Sequence, residues 1–352
     1  MKTARAASLF VFAVGCASSS ASQTSGTAAG ARSADLMREN PVQMEEHMIS
    51  SNTPGIQLYL RNKHPQNVTA ERVLLFVHGS TYPAETSFDL PLGGVSFMEY
   101  LARLGWDVWL VDVRGYGRST RPPEMEQPPS ANPPIVTTDV AVQDVGSAVD
   151  FIRARRGAKK IALMGWSWGT TMMAAYTTKN NESVSKLVLY APQWLRTTPS
   201  LISGEGAYRT VSMDSARDRW LKGVPEDKKA DLIPAGWFEQ WAQATIASDP
   251  VGSKRTPPVV RAPNGTLRDT KEYWSSGKPY YDPGQIRVPV LIVHAEWDQD
   301  LPHPMPREVF SRLTAAPYRR LVEIGEGTHT IIMEKNRDQL FREVQLFLDE
   351  QR

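Results

Sequence analysis

The chain has 352 residues, of which 41% are hydrophobic and 22% are charged. This is the composition of a globular protein with enough length for a large hydrophobic core, arranged as one domain with an insertion or as two domains. Its 40 basic and 38 acidic residues leave a formal net charge of +2, which is too small and too evenly scattered to indicate a nucleic-acid or strongly acidic partner.

The first residues have the pattern of an export signal. Lys2 and Arg5 precede a short apolar run and then a stretch of small residues. The apolar run is much shorter than the roughly 20 residues that a membrane span requires. We therefore expect residues 1–15 to be a signal peptide and residues 16–40, rich in Ser, Ala, Gly and Thr, to form a flexible tether.

The only cysteine, Cys16, follows Ala13-Val14-Gly15 in a pattern that resembles the lipobox of bacterial lipoproteins. That resemblance implies acylation of Cys16 and attachment of the exported protein to a membrane. The alternative is cleavage near Ala21 by an ordinary signal peptidase, which would leave a free periplasmic or secreted protein. Either way, a single cysteine excludes an internal disulfide, so the fold has to be stable through its core alone.

Beyond residue 40, short runs rich in Val, Ile and Leu alternate with amphipathic patterns of helical length. This alternation predicts an α/β fold with a mostly parallel central sheet and helices on both faces. We predict strands in the segments VLLFVHG from Val73, WDVWLVDVRG from Trp106, KIALMG from Lys160, KLVLYAP from Lys186 and VPVLIVHA from Val288. Because open α/β sheets bind ligands at the carboxyl ends of their strands, the turns that follow should carry the functional residues.

Two helices are predicted in the same core. Residues 137–157 place apolar residues at helical spacing and end in arginines and Gly157, which is typical of a helix stop. Residues 332–348 indicate an amphipathic helix that covers the sheet. With these elements, the core is expected to comprise residues 41–192 and 286–352.

Two regions interrupt the alternation of strands and helices. Residues 121–135, RPPEMEQPPSANPPI, contain too much proline for a helix or a central strand, so we predict a long loop at the functional edge of the sheet. Residues 193–285 have no strong strand pattern, and we predict a helical cap inserted between two strands. Five tryptophans mark this cap: Trp194, Trp220, Trp237, Trp241 and Trp274.

A serine lies between two glycines where the strand KIALMG ends and a helical pattern begins. The segment Gly165-Trp-Ser167-Trp-Gly169 has the GxSxG spacing of a nucleophile elbow, in which a tight turn exposes the serine hydroxyl at the top of the sheet. The glycines leave room for that turn. The alternative is a serine that only caps the following helix.

A nucleophilic serine needs a base that is itself oriented by a carboxylate, and the order on this scaffold is serine, acid, histidine. We predict Asp298 as the acid because it follows the last predicted strand, although Asp300 and Glu296 are nearby. His329, in a loop before the final helix, is the predicted base. The other histidines are assigned elsewhere: surface positions for His47 and His64, a loop organiser for His78, a core role for His294 and no matching context for His303.

Two backbone N–H groups should stabilise the oxyanion of an acyl-transfer reaction. We expect one from Trp168, directly after the nucleophile, and one from Ser80, directly after His78-Gly79. The alternative for Gly79-Ser80 is a plain turn. The acids and histidines near Asp298 match no strong metal-ligand spacing, so no metal and no organic cofactor are expected.

From about Ile56 to its end, the chain resembles the α/β-hydrolase fold family. The resemblance is carried by HGS at 78–80, DVRGYGRS at 112–119, GWSWG at 165–169, Asp298 and His329. It is greatest for the branch with epoxide hydrolases, haloalkane dehalogenases, proline iminopeptidases and capped esterases. The first two use an aspartate as nucleophile, where this chain has Ser167.

Proline iminopeptidases keep the serine but normally read HGGPG, where this chain has HGSTY. They would also require cap carboxylates to hold the substrate amine, for which Glu205 or Glu239 are the available residues. A capped carboxylesterase acting on a small, largely apolar substrate is the leading expectation, with proline iminopeptidase-like or amidase activity as the alternative. A catalytically silent binding protein of the same fold is the alternative from another class. The sequence leaves the oligomeric state open.

Overall fold

A computed structural model describes Met1 and residues 41–351. The predicted Val-, Ile- and Leu-rich runs form the central strands of its main sheet, and the side chains of several strands are buried along their whole length. Burial on both faces explains why these strands have continuous apolar runs rather than alternating patterns. The strands of the main sheet are β1 Val42–Ser50, β2 Gln57–Pro65, β3 Val73–Val77, β4 Asp107–Val111, β5 Ile161–Trp166, β6 Val184–Tyr190, β9 Val290–Ala295 and β10 Arg319–Ile324.

This eight-stranded sheet has the order β1-β2-β4-β3-β5-β6-β9-β10. β2 is antiparallel to both β1 and β4, and the pairings from β4 to β10 are parallel. The predicted mostly parallel sheet is therefore confirmed. The parallel strands end at the same edge, which brings together the turns that carry the predicted functional residues.

Strands β1, β2 and β10 were not predicted. The sequences VQMEEHMIS and RRLVEI of β1 and β10 carry several charged or polar residues, because each strand lies at an edge of the sheet and is partly exposed. In β2, the polar Asn62 is buried and donates to the carboxylate of Asp107 over 2.6 Å. Such polar positions hide the apolar pattern on which strand prediction depends.

The core helices lie on both sides of the sheet; all but the last occur between strands in the sequence, and the last follows the final strand. They are α1 Ala84–Phe88, α2 Phe97–Arg103, α3 Thr138–Arg156, α4 Trp168–Lys179, α9 Pro304–Arg312 and α10 Arg337–Asp349. The predicted helix at residues 137–157 is α3, and Gly157 ends it in the left-handed conformation with a φ of 61°. The final helix begins later than predicted, because Ile331–Met333 form a separate 3₁₀ turn before Asn336 caps α10.

The segment between β6 and β9, for which a helical cap was predicted, contains four helices and is called the cap below. Its helices are α5 Met213–Trp220, α6 Lys229–Leu232, α7 Trp237–Ala247 and α8 Gly265–Glu272. The cap also contains a two-stranded antiparallel sheet, β7 Tyr208–Val211 and β8 Val260–Pro263, which was not predicted. Each of these strands has only four residues, too few to show a clear strand pattern in the sequence.

The proline-rich residues 121–135 form a loop with two 3₁₀ turns outside the sheet, as expected. The loop contacts the cap: the carbonyl of Pro129 accepts from Ala207 N over 2.8 Å, and the carbonyl of Gln127 accepts from the Tyr208 hydroxyl over 2.9 Å. Met125 packs in a small hydrophobic cluster with Ala207 and Tyr208. The loop is thus a support for the cap.

Cys16 and the predicted signal peptide and tether lie outside the described residues. Within the described part of the chain, no helix combines the length and the hydropathy that crossing a membrane would need.

A buried ion pair connects three parts of the cap region. The Arg261 guanidinium of β8 donates to the Asp249 carboxylate over 2.9 Å and to the carbonyl of Met125 over 2.6 Å. Both charged side chains are almost completely buried, at 1% and 0% exposure. The pair therefore joins β8, the end of α7 and the proline-rich loop.

Replacing Asp249 by alanine should destabilise the protein strongly. The change removes the buried carboxylate partner of Arg261 and leaves only the exposed Glu126, 3.7 Å away; breaking a buried pair in this way costs about 3–5 kcal/mol. Glu272→Ala is the control, because it breaks the exposed i,i+4 pair of Glu272 with Arg268 and should cost about 0.5 kcal/mol or less. Urea unfolding followed by circular dichroism measures both changes; equal losses would contradict the assignment of a stabilising role to the buried pair.

Candidate active site

Ser167 lies in the turn between β5 and α4. Its backbone has a φ of 58° and a ψ of −122°, a conformation that non-glycine residues seldom adopt. The Ser167 N–H donates to the carbonyl of Tyr190 at the end of β6 over 2.9 Å. A backbone conformation of this kind costs free energy and persists only where the surrounding structure enforces it. The sharp turn expected from the GxSxG spacing is present.

The glycines around Ser167 are required by close contacts between backbones. A Cβ on Gly165 would lie 2.2 Å from the carbonyl oxygen of Gly169, and a Cβ on Gly169 would lie 2.7 Å from the carbonyl oxygens of Val77 and His78. On Gly79, a Cβ would lie 3.1 Å from the Cβ of Ser167. The end of β3 and the turn after β5 therefore pack together without space for side chains.

His329 and Asp298 are hydrogen-bonded, with Nδ1 of the imidazole 2.8 Å from Oδ2 of the carboxylate. The other carboxylate oxygen of Asp298 accepts from the backbone N–H of Leu301 over 2.9 Å. The carbonyl of His329 accepts from the indole of Trp166 and from the hydroxyl of Tyr190. The acid after β9 and the histidine loop after β10 thus meet beside the Ser167 turn.

The environment shifts the pKa values of this pair in opposite directions. Burial alone would raise the pKa of Asp298, but the adjacent His329 lowers it below the usual value of 3.8. Burial alone would lower the pKa of His329, whereas the charges of Asp298 and Asp300 and the hydrogen bond to Asp298 raise it above 6.5. The geometry therefore stabilises an ionised carboxylate and favours a protonated imidazole.

Ser167 and His329 line the same cavity, together with Gly79, Ser80, Trp166 and Thr330. Among the described residues, no hydrogen bond joins the Ser167 hydroxyl to the imidazole. In unliganded sites this contact is often long and tightens when substrate binds. The structure thus brings all three predicted side chains to one place and shows one of the two hydrogen bonds that a catalytic triad requires.

The two residues that were predicted to supply oxyanion donors lie close to Ser167. Trp168 is the first residue of α4, where backbone N–H groups have no acceptor within the helix. Ser80 lines the cavity, and its carbonyl is held by the hydroxyl of Tyr116 over 2.9 Å. The side chain of Trp168 points into the core, where its indole donates to the hydroxyl of Thr138.

Arg209 of the cap strand β7 also holds the Ser80 loop. Its guanidinium donates to the carbonyl of Ser80 over 2.6 Å and to the hydroxyl of Thr81 over 2.9 Å. The side chain is buried, and burial lowers its pKa to about 10. Sequence reasoning missed Arg209, because a charged residue in a polar segment predicts exposure and its partners lie far away in the chain.

Glu334 is a second buried charge that the sequence did not identify. Its carboxylate accepts from the indole of Trp220 in α5 over 2.6 Å and from the backbone N–H of Thr328 over 2.9 Å; the Thr328 hydroxyl donates to it as well. Burial raises the pKa of Glu334 to about 7 despite these hydrogen bonds. Glu334 connects the cap to the loop that carries His329.

The alternative acids have other partners. Asp300 forms an ion pair with Arg219 of the cap, with an N–O distance of 2.9 Å. A carboxylate oxygen of Glu296 accepts from the backbone N–H of Glu326 over 2.9 Å. Asp298 is therefore the acid that contacts His329, as the sequence indicated.

The expectation that His47 and His64 are surface residues is wrong for His64. His64 lies in β2 with only 5% of its surface exposed, and its imidazole contacts the carbonyl of Pro65. His47 lies in β1 and stacks on the ring of Trp109. The prediction for His64 failed because the sequence analysis did not recognise β1 and β2 as strands.

His78 is fully buried, and burial lowers its pKa to about 4. Its imidazole contacts the carbonyl of Gly79 over 2.6 Å and accepts from the backbone N–H of Val113 over 3.2 Å. This agrees with the expected role as a loop organiser.

One histidine cluster has the proximity of metal ligands. Ligand atoms of His294, His303 and Glu323 lie within 4.8 Å of one another. His303 already contacts the carboxylate of Glu323 and the carbonyl of Glu296 through its two ring nitrogens. Hydrogen bonds thus account for the position of His303 in this cluster.

Few of the tryptophans and glutamates that the sequence analysis named in the cap line the cavity beside Ser167. Trp220 lines it, whereas Trp194, Trp241 and Trp274 are completely buried within the protein. Glu205 is exposed, and Glu239 is exposed and pairs with Arg217. Neither glutamate is among the residues that line the described cavities next to Ser167.

The sequence of residues 72–336 matches the alpha/beta hydrolase fold family, and the chain belongs to that family. A proline iminopeptidase of Xylella fastidiosa (strain Temecula1 / ATCC 700964) is 31% identical over 127 residues, which are 36% of this chain and 36% of that protein. The chain thus spans about a third of the length of this curated relative.

Solved structures share the fold. A membrane phospholipase A, described as a bacterial virulence factor, superposes with a TM-score of 0.56 at 16% identity and covers 92% of this chain and 90% of its own. The 2-hydroxy-6-oxo-6-phenylhexa-2,4-dienoate hydrolase of Rhodococcus sp. strain RHA1 has a TM-score of 0.59 at 15% identity, with 88% and 100% coverage. At such low identity, the similarity establishes the fold only.

Replacing Gly165 by alanine should disrupt the Ser167 turn. The new Cβ would collide with backbone atoms that have no room to move, so we expect a loss of about 3 kcal/mol or more. The control is Gly146→Ala in α3, where the nearest atom to a Cβ is 3.6 Å away on Tyr176; it should be neutral or stabilise by about 0.5–1 kcal/mol. Thermal unfolding compares the two variants, and a Gly165 variant as stable as the control would refute the packing argument.

Proposed function

We propose that the protein is a serine hydrolase that cleaves a carboxylic ester of a small, largely apolar substrate through Ser167, His329 and Asp298. The observation that carries the proposal is the hydrogen bond between His329 and Asp298, with the same imidazole lining the cavity of Ser167. The strained turn at Ser167 adds support, since folding alone does not require a serine at a positive φ.

The reaction begins when neutral His329 removes the proton of the Ser167 hydroxyl and the oxygen attacks the ester carbonyl. Negative charge then forms on the carbonyl oxygen, and the N–H groups of Ser80 and Trp168 are the proposed donors that stabilise it. The tetrahedral intermediate expels the alcohol, which takes the proton from His329. Water activated by His329 next attacks the acyl-enzyme and releases the acid. Asp298 keeps the imidazole oriented and stabilises its cation throughout.

A proline iminopeptidase-like activity is the second candidate, because the matching relative has that name. Recognition of a substrate amine would need a free carboxylate at the cavity. Asp300 lines the cavity but is already paired with Arg219, and Glu205 and Glu239 do not line it. The charges around Ser167 therefore favour an ester over an aminoacyl substrate.

A fluorophosphonate probe tests whether Ser167 is a nucleophile. Wild-type protein should become labelled, and Ser167→Ala should not, because the alanine has no hydroxyl to phosphonylate. Mass spectrometry of the labelled peptide identifies the modified residue. Unlabelled wild-type protein with native circular dichroism would instead favour a catalytically silent binding protein.

A substrate panel separates the two enzymatic candidates. We expect turnover of p-nitrophenyl esters, with the rate depending on acyl chain length, and no turnover of proline p-nitroanilide. The readout is release of the chromophore by wild-type protein, with Ser167→Ala as the blank. Turnover of the proline substrate without any ester turnover would reverse the ranking.

Asp298→Asn should lower kcat by about 10⁴-fold, because the amide no longer holds the imidazole in the required tautomer or stabilises its cation. Asp300→Asn is the matched control, since Asp300 is paired with Arg219 rather than with His329, and its loss should be far smaller. Steady-state kinetics on one ester compare the variants. A larger loss for Asp300→Asn would transfer the role of the acid to that residue.

The pH dependence follows from the raised pKa of His329. The base acts in its neutral form, so kcat/KM should fall on acidification, with a midpoint above the usual histidine value of 6.5. Asp298→Asn removes the negative charge that favours the imidazolium and should move the midpoint to lower pH. A pH profile of kcat/KM for both proteins measures the shift, and a midpoint that rises in the variant would contradict the assignment.

We also propose that the protein is exported and is attached to a membrane through a lipid on Cys16. Cell fractionation tests this proposal. Wild-type protein should be found in the membrane fraction, and Cys16→Ala, which cannot be acylated at this position, should be lost from that fraction. A wild-type protein recovered only in the soluble exported fraction would support cleavage near Ala21.

A further inference from the structure

Ser167 lies where two cavities of different character meet. The first, here called the apolar cavity, is lined by Tyr82, Trp166, Ala216 and Trp220 beside the nucleophile. The second, here called the polar cavity, is lined by Gln193, Arg196, Ser200 and Thr270. Arg219 and Asp300 line both cavities and form an ion pair with each other, so this pair stands between them.

The polar cavity contains an excess of positive charge. The charge of Arg219 is balanced by Asp300, whose carboxylate is 2.9 Å away. Arg196, with 8% of its surface exposed, donates to three backbone carbonyls, those of Thr198, Pro199 and Asp300. In the described part of the chain, no ion pair with a carboxylate involves Arg196. Of the charged side chains that line the polar cavity, two are therefore cations and one is an anion.

Arg196 is able to bind more than its present partners. A guanidinium has five N–H donors, and the three backbone carbonyls use three of them. The charges of Asp300 and Asp298 act on Arg196, but these carboxylates are paired with Arg219 and with His329. An anion that enters the cavity would give this buried cation a direct partner. Guanidinium groups match carboxylates in both charge and shape, which makes a carboxylate the best-suited ligand.

We propose that the polar cavity is a subsite for a carboxylate of the substrate, so that the enzyme prefers esters with an apolar part and a carboxylate-bearing part. The inference rests on the proposed ester hydrolysis at Ser167 and specifies its substrate class. Arg196 supplies the unbalanced charge, and Asp300 limits it by neutralising Arg219. The carbonyl attacked by Ser167 would lie between the two parts of the substrate.

Two p-nitrophenyl esters that differ only at the far end of the acyl chain test this charge preference. p-Nitrophenyl hydrogen adipate ends in a carboxylate, and p-nitrophenyl 5-carbamoylpentanoate ends in a neutral amide of nearly the same size. For wild-type protein, kcat/KM should be about tenfold or more higher for the carboxylate ester, as expected for a charge-assisted hydrogen bond. A ratio of one or less would overturn the proposal.

Two substitutions should change this ratio in opposite directions. Arg196→Gln removes the unbalanced cation and should bring the ratio close to one. Asp300→Asn frees the charge of Arg219 and should raise the ratio above that of wild type. Arg268→Gln, which removes an exposed arginine paired with Glu272, is the matched control and should keep the wild-type ratio. A change of the same sign in both cavity variants would indicate general damage to the site and overturn the proposal.

Binding to Ser167→Ala separates this inference from the proposed function. Isothermal titration should show that the inactive variant binds the carboxylate ester about tenfold more tightly than the amide, and that adding Arg196→Gln removes the difference. If wild-type protein hydrolyses no ester but this difference is found, the subsite stands and the proposed hydrolysis fails. If esters are hydrolysed but neither kinetics nor binding distinguishes the two ligands, the hydrolysis stands and the subsite fails.

Discussion

The close packing of backbone around Ser167 is the constraint on which the rest of the site depends. The end of β3 and the turn from β5 to α4 approach so closely that Gly165 and Gly169 leave no space for a Cβ. This crowding holds Ser167 at a positive φ and aims its side chain away from the sheet, into the cavity. The hydrogen-bonded pair of His329 and Asp298 lies beside this turn, on the loops that follow β10 and β9.

Buried polar contacts between the cap and the core determine the form of the cavity. Arg209 reaches the Ser80 loop, Glu334 joins Trp220 to the His329 loop, and Arg219 reaches Asp300 beside the acid. Each of these contacts ends within a few residues of a proposed catalytic group. The cap therefore contacts the loops that carry the proposed oxyanion donor, the proposed base and the proposed acid.

The sequence predicted the elements whose patterns are local. The central strands have unbroken apolar runs, α3 ends at a glycine, and the order of Ser167, Asp298 and His329 along the chain matches the known arrangement on this fold. Edge strands β1 and β10 escaped prediction because their exposed faces are polar.

Buried charges escaped prediction for a different reason. Arg209 and Ser80 are separated by 129 positions, and Glu334 and Trp220 by 114, so the partner that makes burial favourable is not visible in the local sequence. The same holds for Arg196, which contacts Asp300 from 104 positions away. Sequence reasoning thus located Ser167, Asp298 and His329, which lie together in the structure, but gave no indication of the charged groups that surround them.

The contact of Arg209 with Ser80 has a consequence for how such proteins can be altered. A cap that carries a guanidinium to the loop beside Ser167 is not an exchangeable module, even though it is a continuous insertion between β6 and β9. A chimera with a cap from another hydrolase would have to supply an equivalent cation, or redesign the loop so that the carbonyl of Ser80 finds another donor. The cap can therefore be exchanged only together with the core residues that it contacts.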